Sequence, residues 1–333
     1  MTHELKHIVQ HYQKCPERAV LASVVALDGS SYRRPGVRML VYGNGEMVGA
    51  VSGGCVEKEV YYQATSVFET GISKIMVYDG RYRLGCEGVL YILLEIFEPT
   101  KAFLDRFWGS IDGRRPFVIT SYFKKEYGED PNCHTLFEFG EESFQVCERG
   151  KGRTDGLLAF GQEMPPCFQL LILGGEHDAV ILCRFASQIG WEVTVVVDPR
   201  EEKTEQDFPG IHRLLQIEPE SFEFPLDKQT AIMVMTHSFA KDLRFVMALR
   251  KDAGAYFGLL GPTKRREKLF GELMERCPDV SVDFLEGIHA PAGIDIGAET
   301  PQEIAISILS EILSTINGKE PRPLKHIGGK IHL

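Results

Sequence analysis

The chain of 333 residues predicts an α/β protein, an N-terminal α+β domain followed by a C-terminal doubly wound parallel sheet. Three observations predict it. The first hundred residues carry a β-type run, a hairpin signal and a glycine turn into a helix. The second half alternates continuous apolar runs, beginning with Leu170-Leu171-Ile172-Leu173, with helical segments, the pattern of parallel strands covered on both faces. The length also suits two domains at roughly 150 residues each. The segments are expected at 1–99 for the α+β domain, 100–165 for an antiparallel extension and linker, 166–318 for the parallel sheet and 319–333 for a tail.

In the first domain Glu4 to Gln13 has helical spacing, with Leu5, Ile8 and Val9 on one side. Ala19 to Leu27 is a β-type run, Asp28-Gly29-Ser30-Ser31 a turn by composition, and Val37 to Tyr42 a strand. Gly43-Asn44-Gly45 is a hairpin signal and Glu46 to Val51 the return strand. Ser52-Gly53-Gly54 then turns into a helix from Cys55 towards Thr70, which Gly71 caps. Lys74 to Tyr78 and Val89 to Phe97 are further strands. Arg115 to Phe123, Thr135 to Phe139 and Ser143 to Cys147 are short strands of the extension.

The turn at Ser52, Gly53 and Gly54 is the first candidate site. Glycines let backbone amides approach a ligand, and a helix N-terminus favours negative charge. Cys55 lies at that mouth, where a thiolate is stabilised, so it is the expected reactive cysteine. Gly-Gly before a helix is also a common tight connection, and cysteine is often buried. Arg33, Arg34 and Arg38 precede the turn by one hairpin and are candidates to line it for an anion such as a phosphate. Their ordinary fate is a solvated surface. Cys86, between Gly85 and Gly88, is a second candidate thiol.

In the second domain Gly174-Gly175-Glu176-His177 is the turn after the first strand, and Asp178 to Ile189 the first helix. The second strand, Glu192 to Val197, ends at Asp198, and a later one, Ala231 to Met235, ends at Thr236-His237. This alternation is Rossmann-like. Gly174, Gly175, His177, Asp198 and His237 are the candidate ligand residues, because open α/β sheets bind at the C-terminal ends of their strands. In the dinucleotide fingerprint Glu176 takes the slot of the middle glycine, which argues against NAD(P). Thr300-Pro301-Gln302-Glu303 is a capping box opening a last helix with Ile304, Ile308, Ile312 and Ile316 on one stripe.

Hydrophobic residues at 44% and charged residues at 25% are ordinary for a soluble globular protein. A net charge of -10 argues against a general nucleic-acid or anionic-membrane surface. No apolar run reaches the length of a membrane span, and Met-Thr-His-Glu-Leu-Lys-His lacks the apolar core of a secretion signal, so the expected location is cytoplasmic. None of the eight cysteines forms a Cys-x-x-Cys pair, which argues against a structural zinc site and an iron–sulfur cluster.

Several stretches resemble the xanthine dehydrogenase accessory proteins of the XdhC/CoxI type. They are Ser31-Tyr32-Arg33-Arg34-Pro35-Gly36-Val37-Arg38-Met39, Gly49-Ala50-Val51-Ser52-Gly53-Gly54-Cys55-Val56-Glu57 and Gly85-Cys86-Glu87-Gly88 in the first domain. In the second they are Leu173-Gly174-Gly175-Glu176-His177, Val197-Asp198-Pro199-Arg200, Thr236-His237 and Ala290 to Pro301. The resemblance implies a factor that holds the molybdenum cofactor (molybdopterin), supports exchange of a metal oxo ligand for sulfido by a cysteine desulfurase, and hands the cofactor to an apo-hydroxylase of the xanthine dehydrogenase type. It implies a maturation factor rather than the hydroxylase, in which Cys55 would touch the metal or receive sulfur with Cys86 as a helper. The competing class is an NAD(P)-dependent oxidoreductase acting on a small molecule, and a third is a scaffold that binds the hydroxylase or the desulfurase without cofactor. A homodimer is the expected form of any self-association, because closed twofold assemblies are the commonest.

Overall fold

A computed structural model describes residues 1–31, 33–82, 88–147, 153–251 and 254–327, with the side chains of Cys55 and Tyr82 left aside. The chain divides into two units, Met1–Pro166 and Cys167–Leu333.

Unit 1 begins with helix α1 (Thr2–Lys14), which buries Leu5, Ile8 and Val9. Strands β1 (Ala19–Asp28), β2 (Arg38–Tyr42) and β3 (Met47–Gly49) follow, then helix α2 (Cys55–Thr70) and strands β4 (Lys74–Asp79) and β5 (Val89–Phe97). Helix α3 (Lys101–Asp112) leads to β6 (Phe117–Phe123), β7 (Gly128–Glu129), β8 (His134–Phe139), β9 (Glu142–Gln145) and β10 (Leu158–Met164). Two antiparallel sheets result, ordered β3-β2-β1-β5-β4-β7 and β10-β6-β8-β9.

Alternation along β1 decides what each face of the first sheet meets. Val20, Ala22 and Val24 pack with Val56, Val60, Ala64 and Val67 of α2. Ala19 and Leu21 point the other way, into a core with Leu5 and Ile8 of α1, Phe103 and Phe107 of α3, and Ile119 and Phe137 of the second sheet. Residues between 100 and 165 therefore share one apolar core with the first ninety-nine. Helix α3 corrects the sequence expectation, which has only short strands here. Its first turn is capped by Thr100 Oγ1, which accepts from the Phe103 amide at 3.2 Å.

Unit 2 alternates strand and helix. Its elements are β11 (Gln169–Leu173), α4 (His177–Gln188), β12 (Glu192–Val197), β13 (Arg213–Gln216), β14 (Thr230–Val234), α5 (Phe239–Leu249), β15 (Tyr256–Leu259), α6 (Thr263–Arg276), α7 (Val282–Glu286), β16 (Ile288–His289) and α8 (Pro301–Ile316). The six strands are parallel and ordered β13-β12-β11-β14-β15-β16. Counted within the unit this is the order 3-2-1-4-5-6 of a Rossmann sheet, whose direction reverses between β11 and β14. α4 and α8 cover one face, burying Leu182, Ala186, Ile308 and Ile312. α5 and α6 cover the other, burying Val246, Leu249, Leu269 and Leu273. The capping box of α8 forms as its sequence implies, with the Thr300 amide donating to Glu303 at 2.9 Å. Among the described residues no helix is long and apolar enough to cross a membrane.

Candidate functional site

Ser52, Gly53 and Gly54 form the turn between β3 and α2, and Cys55 is the first residue of α2. Gly54 is the N-cap with φ of 119°, a conformation that favours glycine. A Cβ placed on Gly53 or Gly54 would meet nothing within 4 Å among the described residues. The turn is thus open above its backbone, as an approaching ligand requires.

Its amides, however, are engaged. Ser52 N–H donates to Glu57 Oε1 at 2.7 Å, Gly54 N–H donates to Glu57 Oε2 at 2.8 Å, and Gly53 N–H reaches Ser52 Oγ at 2.5 Å. The sequence leads one to expect negative charge at this helix mouth, and in the structure the chain's own carboxylate supplies it. Glu57 is the third helical residue, where an acid commonly reaches back to cap the preceding amides, so the spacing was its signal. The Cys55 thiol and the whole of Cys86 lie outside the described residues.

The three arginines separate. Arg38 is 5% exposed, and its Nη1 donates to Gly36 O at 2.8 Å and to Gln162 Oε1 at 2.7 Å. Burial lowers its pKa to about 10, against the opposing field of Glu95. As a buried structural side chain it does not line the turn, which corrects the sequence expectation. Arg33 is tied to Glu4 of α1 at 2.9 Å. Arg34 is exposed and meets no hydrogen-bond or ion-pair partner among the described residues. It is the one of the three left to receive an anion. Val37 beside this turn and Val51 and Val56 flanking the glycine turn belong to one apolar cluster, which anchors both segments.

In unit 2 the C-terminal ends of β11 and β14 place His177 and His237 on either side of the point where strand order reverses. His177 is exposed at the start of α4. His237 has φ of 56°, a left-handed backbone seldom adopted outside glycine. Its Nε2 lies 3.3 Å from Asp178 Oδ2 in the first turn of α4. Asp242, 2% exposed, holds this corner: Oδ1 accepts from the Thr236 amide at 3.1 Å and from Thr236 Oγ1 at 2.5 Å, while Oδ2 accepts from Arg265 Nη2 at 2.6 Å.

Gly174 and Gly175 are packed rather than open. A Cβ on Gly174, at φ of 126°, would lie 2.5 Å from Met235 O, and one on Gly175 2.6 Å from Val197 Cγ1. Asp198 accepts from Arg200 Nε and Nη2 at 2.8 and 2.7 Å, from the Arg200 amide at 3.0 Å, and from Lys241 Nζ at 3.0 Å. Those donors, Arg200 first, hold its carboxyl far below the usual carboxylate range. Lys241 also reaches Glu201 at 3.0 Å. The crevice lined by Gly174, Gly175, Asp198, Glu201 and Lys241 keeps a volume of about 10 Å³, the space of one water. Lys241 and Glu201 are absent from the sequence reading because they meet across 40 residues, whereas Asp242, an acid in the first turn of α5 only six residues after its partner Thr236, carried a local signal.

The stretch from Ala290 to Pro301 is pinned at its start. The Ala292 amide donates to Leu259 O at 3.0 Å, the Gly293 amide to Glu311 Oε2 at 2.7 Å, and Ser307 Oγ to Ile294 O at 2.6 Å. Asp295, Ile296 and Glu299 beyond it are exposed.

Comparison with known proteins follows the same division. The profile of the XdhC Rossmann domain matches residues 170–312, and that of the XdhC and CoxI family matches residues 13–79. A Bacillus subtilis (strain 168) protein, named as a probable xanthine dehydrogenase subunit, is 29% identical over 327 residues, covering 90% of this chain and 93% of its own. An Escherichia coli (strain K12) protein named "Molybdenum cofactor insertion chaperone PaoD" is 25% identical over 305 residues, covering 89% of this chain and 83% of its own. The crystal structure of a xanthine dehydrogenase from Bacillus halodurans superposes with a TM-score of 0.78, covering 96% of this chain and 98% of that one, and at 24% identity it speaks for the fold alone.

Proposed function

The chain belongs to the XdhC and CoxI family, and from that premise we propose that it is a maturation factor for the molybdenum cofactor, which binds the cofactor, supports its sulfuration by a cysteine desulfurase and delivers it to a hydroxylase of the xanthine dehydrogenase type. The relative named as a molybdenum cofactor insertion chaperone supports the cofactor role, and the Bacillus subtilis relative, by its xanthine dehydrogenase name, supports the class of client.

One observation of geometry carries the assignment of the site. The glycines before Cys55 are open above their backbone, with nothing among the described residues within 4 Å of either Cβ position, at the start of a helix of 16 residues. In this reading the pterin phosphate takes the Ser52 and Gly54 amides in exchange for the Glu57 carboxylate, and Arg34 supplies a compensating charge. Cys55 is the soft ligand toward molybdenum or transferred sulfur. His177 and His237 are ligand contacts of unit 2, and NAD(P) is not its cofactor.

Replacing Cys55 by Ala tests the reading. The purified variant is expected to lose bound cofactor, measured as molybdenum and pterin in protein from molybdate-fed cells, and to fail to activate apo-hydroxylase. Full cofactor content and full activation would remove the thiol from the mechanism. Wild-type protein that activates the hydroxylase while carrying no cofactor would point to a scaffold instead. A saturable NADH titration would favour the oxidoreductase.

A further inference from the structure

Among the described residues four buried side-chain polar atoms lack a hydrogen-bond partner, and three of them are neighbours: Ser23 Oγ, Arg38 Nε and Glu95 Oε1. The strand register explains the grouping. Ser23 of β1 pairs with Arg38 of β2, and Leu21, two residues earlier on the same face, pairs with Glu95 of β5. The three side chains therefore sit side by side on the face turned to the second sheet. Their remaining bonds cross to that sheet: Arg38 reaches Gln162 of β10, and Glu95 Oε2 accepts from the Thr135 amide of β8 at 2.9 Å. Ser23, Arg38 and Glu95 are 1%, 5% and 4% exposed, so bulk solvent does not serve the orphaned atoms.

The orphans are complementary to one small molecule. Arg38 Nε–H donates, Glu95 Oε1 accepts when the carboxyl is ionised and donates when it is protonated, and the Ser23 hydroxyl does either. A cation would face the guanidinium and an anion the carboxylate, so the occupant is neutral and dipolar. We propose that one water molecule is bound between the two sheets of unit 1, accepting from Arg38 Nε and sharing hydrogen bonds with Glu95 Oε1 and Ser23 Oγ. Buried waters typically make about three such bonds. This water joins the Thr135 amide, through Glu95 and Arg38, to the Gly36 carbonyl, and so holds the turn that carries Arg34 from inside.

A crystal structure of the full chain at atomic resolution, with water–protein cross-relaxation in solution, tests the site. The expected result is a density peak about 2.7–3.2 Å from all three atoms and a long-lived water cross-peak to Arg38 Nε–H. A direct Arg38 Nε to Glu95 Oε1 bond with no peak would overturn it. Replacing Ser23 by Val removes the hydroxyl and fills the space. Loss of the cross-peak, with amide exchange at Gly36 about tenfold faster, is the outcome expected, and a retained cross-peak in the folded variant would count against the site.

Discussion

Each unit contains a strand, a Gly-Gly turn and a helix, and the two turns are built to opposite ends. At Gly53 and Gly54 the space over the backbone is open among the described residues, and a carboxylate from the following helix occupies the amides. At Gly174 and Gly175 the missing side chains let the backbone press against Met235 and Val197, and the adjoining crevice is filled by the ion pairs of Lys241. In the first turn glycine gives access. In the second it gives close packing. The same dipeptide in the same local setting thus says little about ligands until its surroundings are known.

The contrast can be broken most forcefully by adding one methyl group to the second turn. Gly174→Ala puts a Cβ against a carbonyl oxygen on a left-handed backbone. It is expected to destabilise unit 2 by about 3 kcal/mol or more, read from urea denaturation. A variant of unchanged stability would show that the second turn has slack.

The next largest effect separates the units by pH. Burial raises the Glu95 carboxyl of unit 1 from 4.5 to about 7, only partly offset by the Thr135 hydrogen bonds and the Arg38 charge. The folded state therefore holds this proton more tightly than the unfolded chain does. Its stabilising contribution is complete below pH 4.5 and is lost as pH rises through about 7. Asp198 of unit 2 has the opposite sign. Its depressed pKa gives a contribution that is present above the unfolded value of 3.8 and lost only at much lower pH, so it is constant across that window. Glu95→Gln should flatten the pH dependence of unit 1 by about 2–3 kcal/mol between those limits, gaining on the wild type as pH rises. Unchanged slopes in chemical denaturation at a series of pH values would contradict the assignment.

Glu57→Gln sharpens the comparison at the first turn. The amide side chain keeps one acceptor and loses the charge, at a cost of about 1 kcal/mol in stability. Affinity for inorganic pyrophosphate, measured by calorimetry, is expected to rise about fivefold. Equal or weaker binding would show that the carboxylate does not compete with anions. The smallest change in stability belongs to Gly53→Ala, within about 0.5 kcal/mol, accompanied by a lower cofactor content. A large loss of stability there would erase the difference between the two turns.

Much of this architecture is written locally. The parallel sheet follows from apolar runs such as Leu170 to Leu173, the start of α2 at Cys55 from the glycine turn, and the start of α8 from Thr300, Pro301 and Glu303. Helix α3 was equally available, since Thr100 is a cap and Phe103, Phe107 and Ile111 recur at helical spacing on the buried side. Glu57 stands three residues after its cap, another local pattern. The fate of Arg38 was not available. Its hydrogen-bond partner Gln162 lies 124 residues away, and nothing near an arginine announces that a second sheet will cover it. Lys241 is 40 residues from Glu201, so the filling of the crevice is equally a product of topology. Residue types and turns were legible, while pairings across sheets were not.

If the first turn seats an anion as proposed, that anion does not fill idle donors but trades places with Glu57. The gain is the difference between two sets of hydrogen bonds, so the grip stays loose and the tethered carboxylate is always at hand to push the visitor out. An enzyme that kept its cofactor for life would be poorly served by such a seat. A courier, which must surrender its load at the next address, is well served by it.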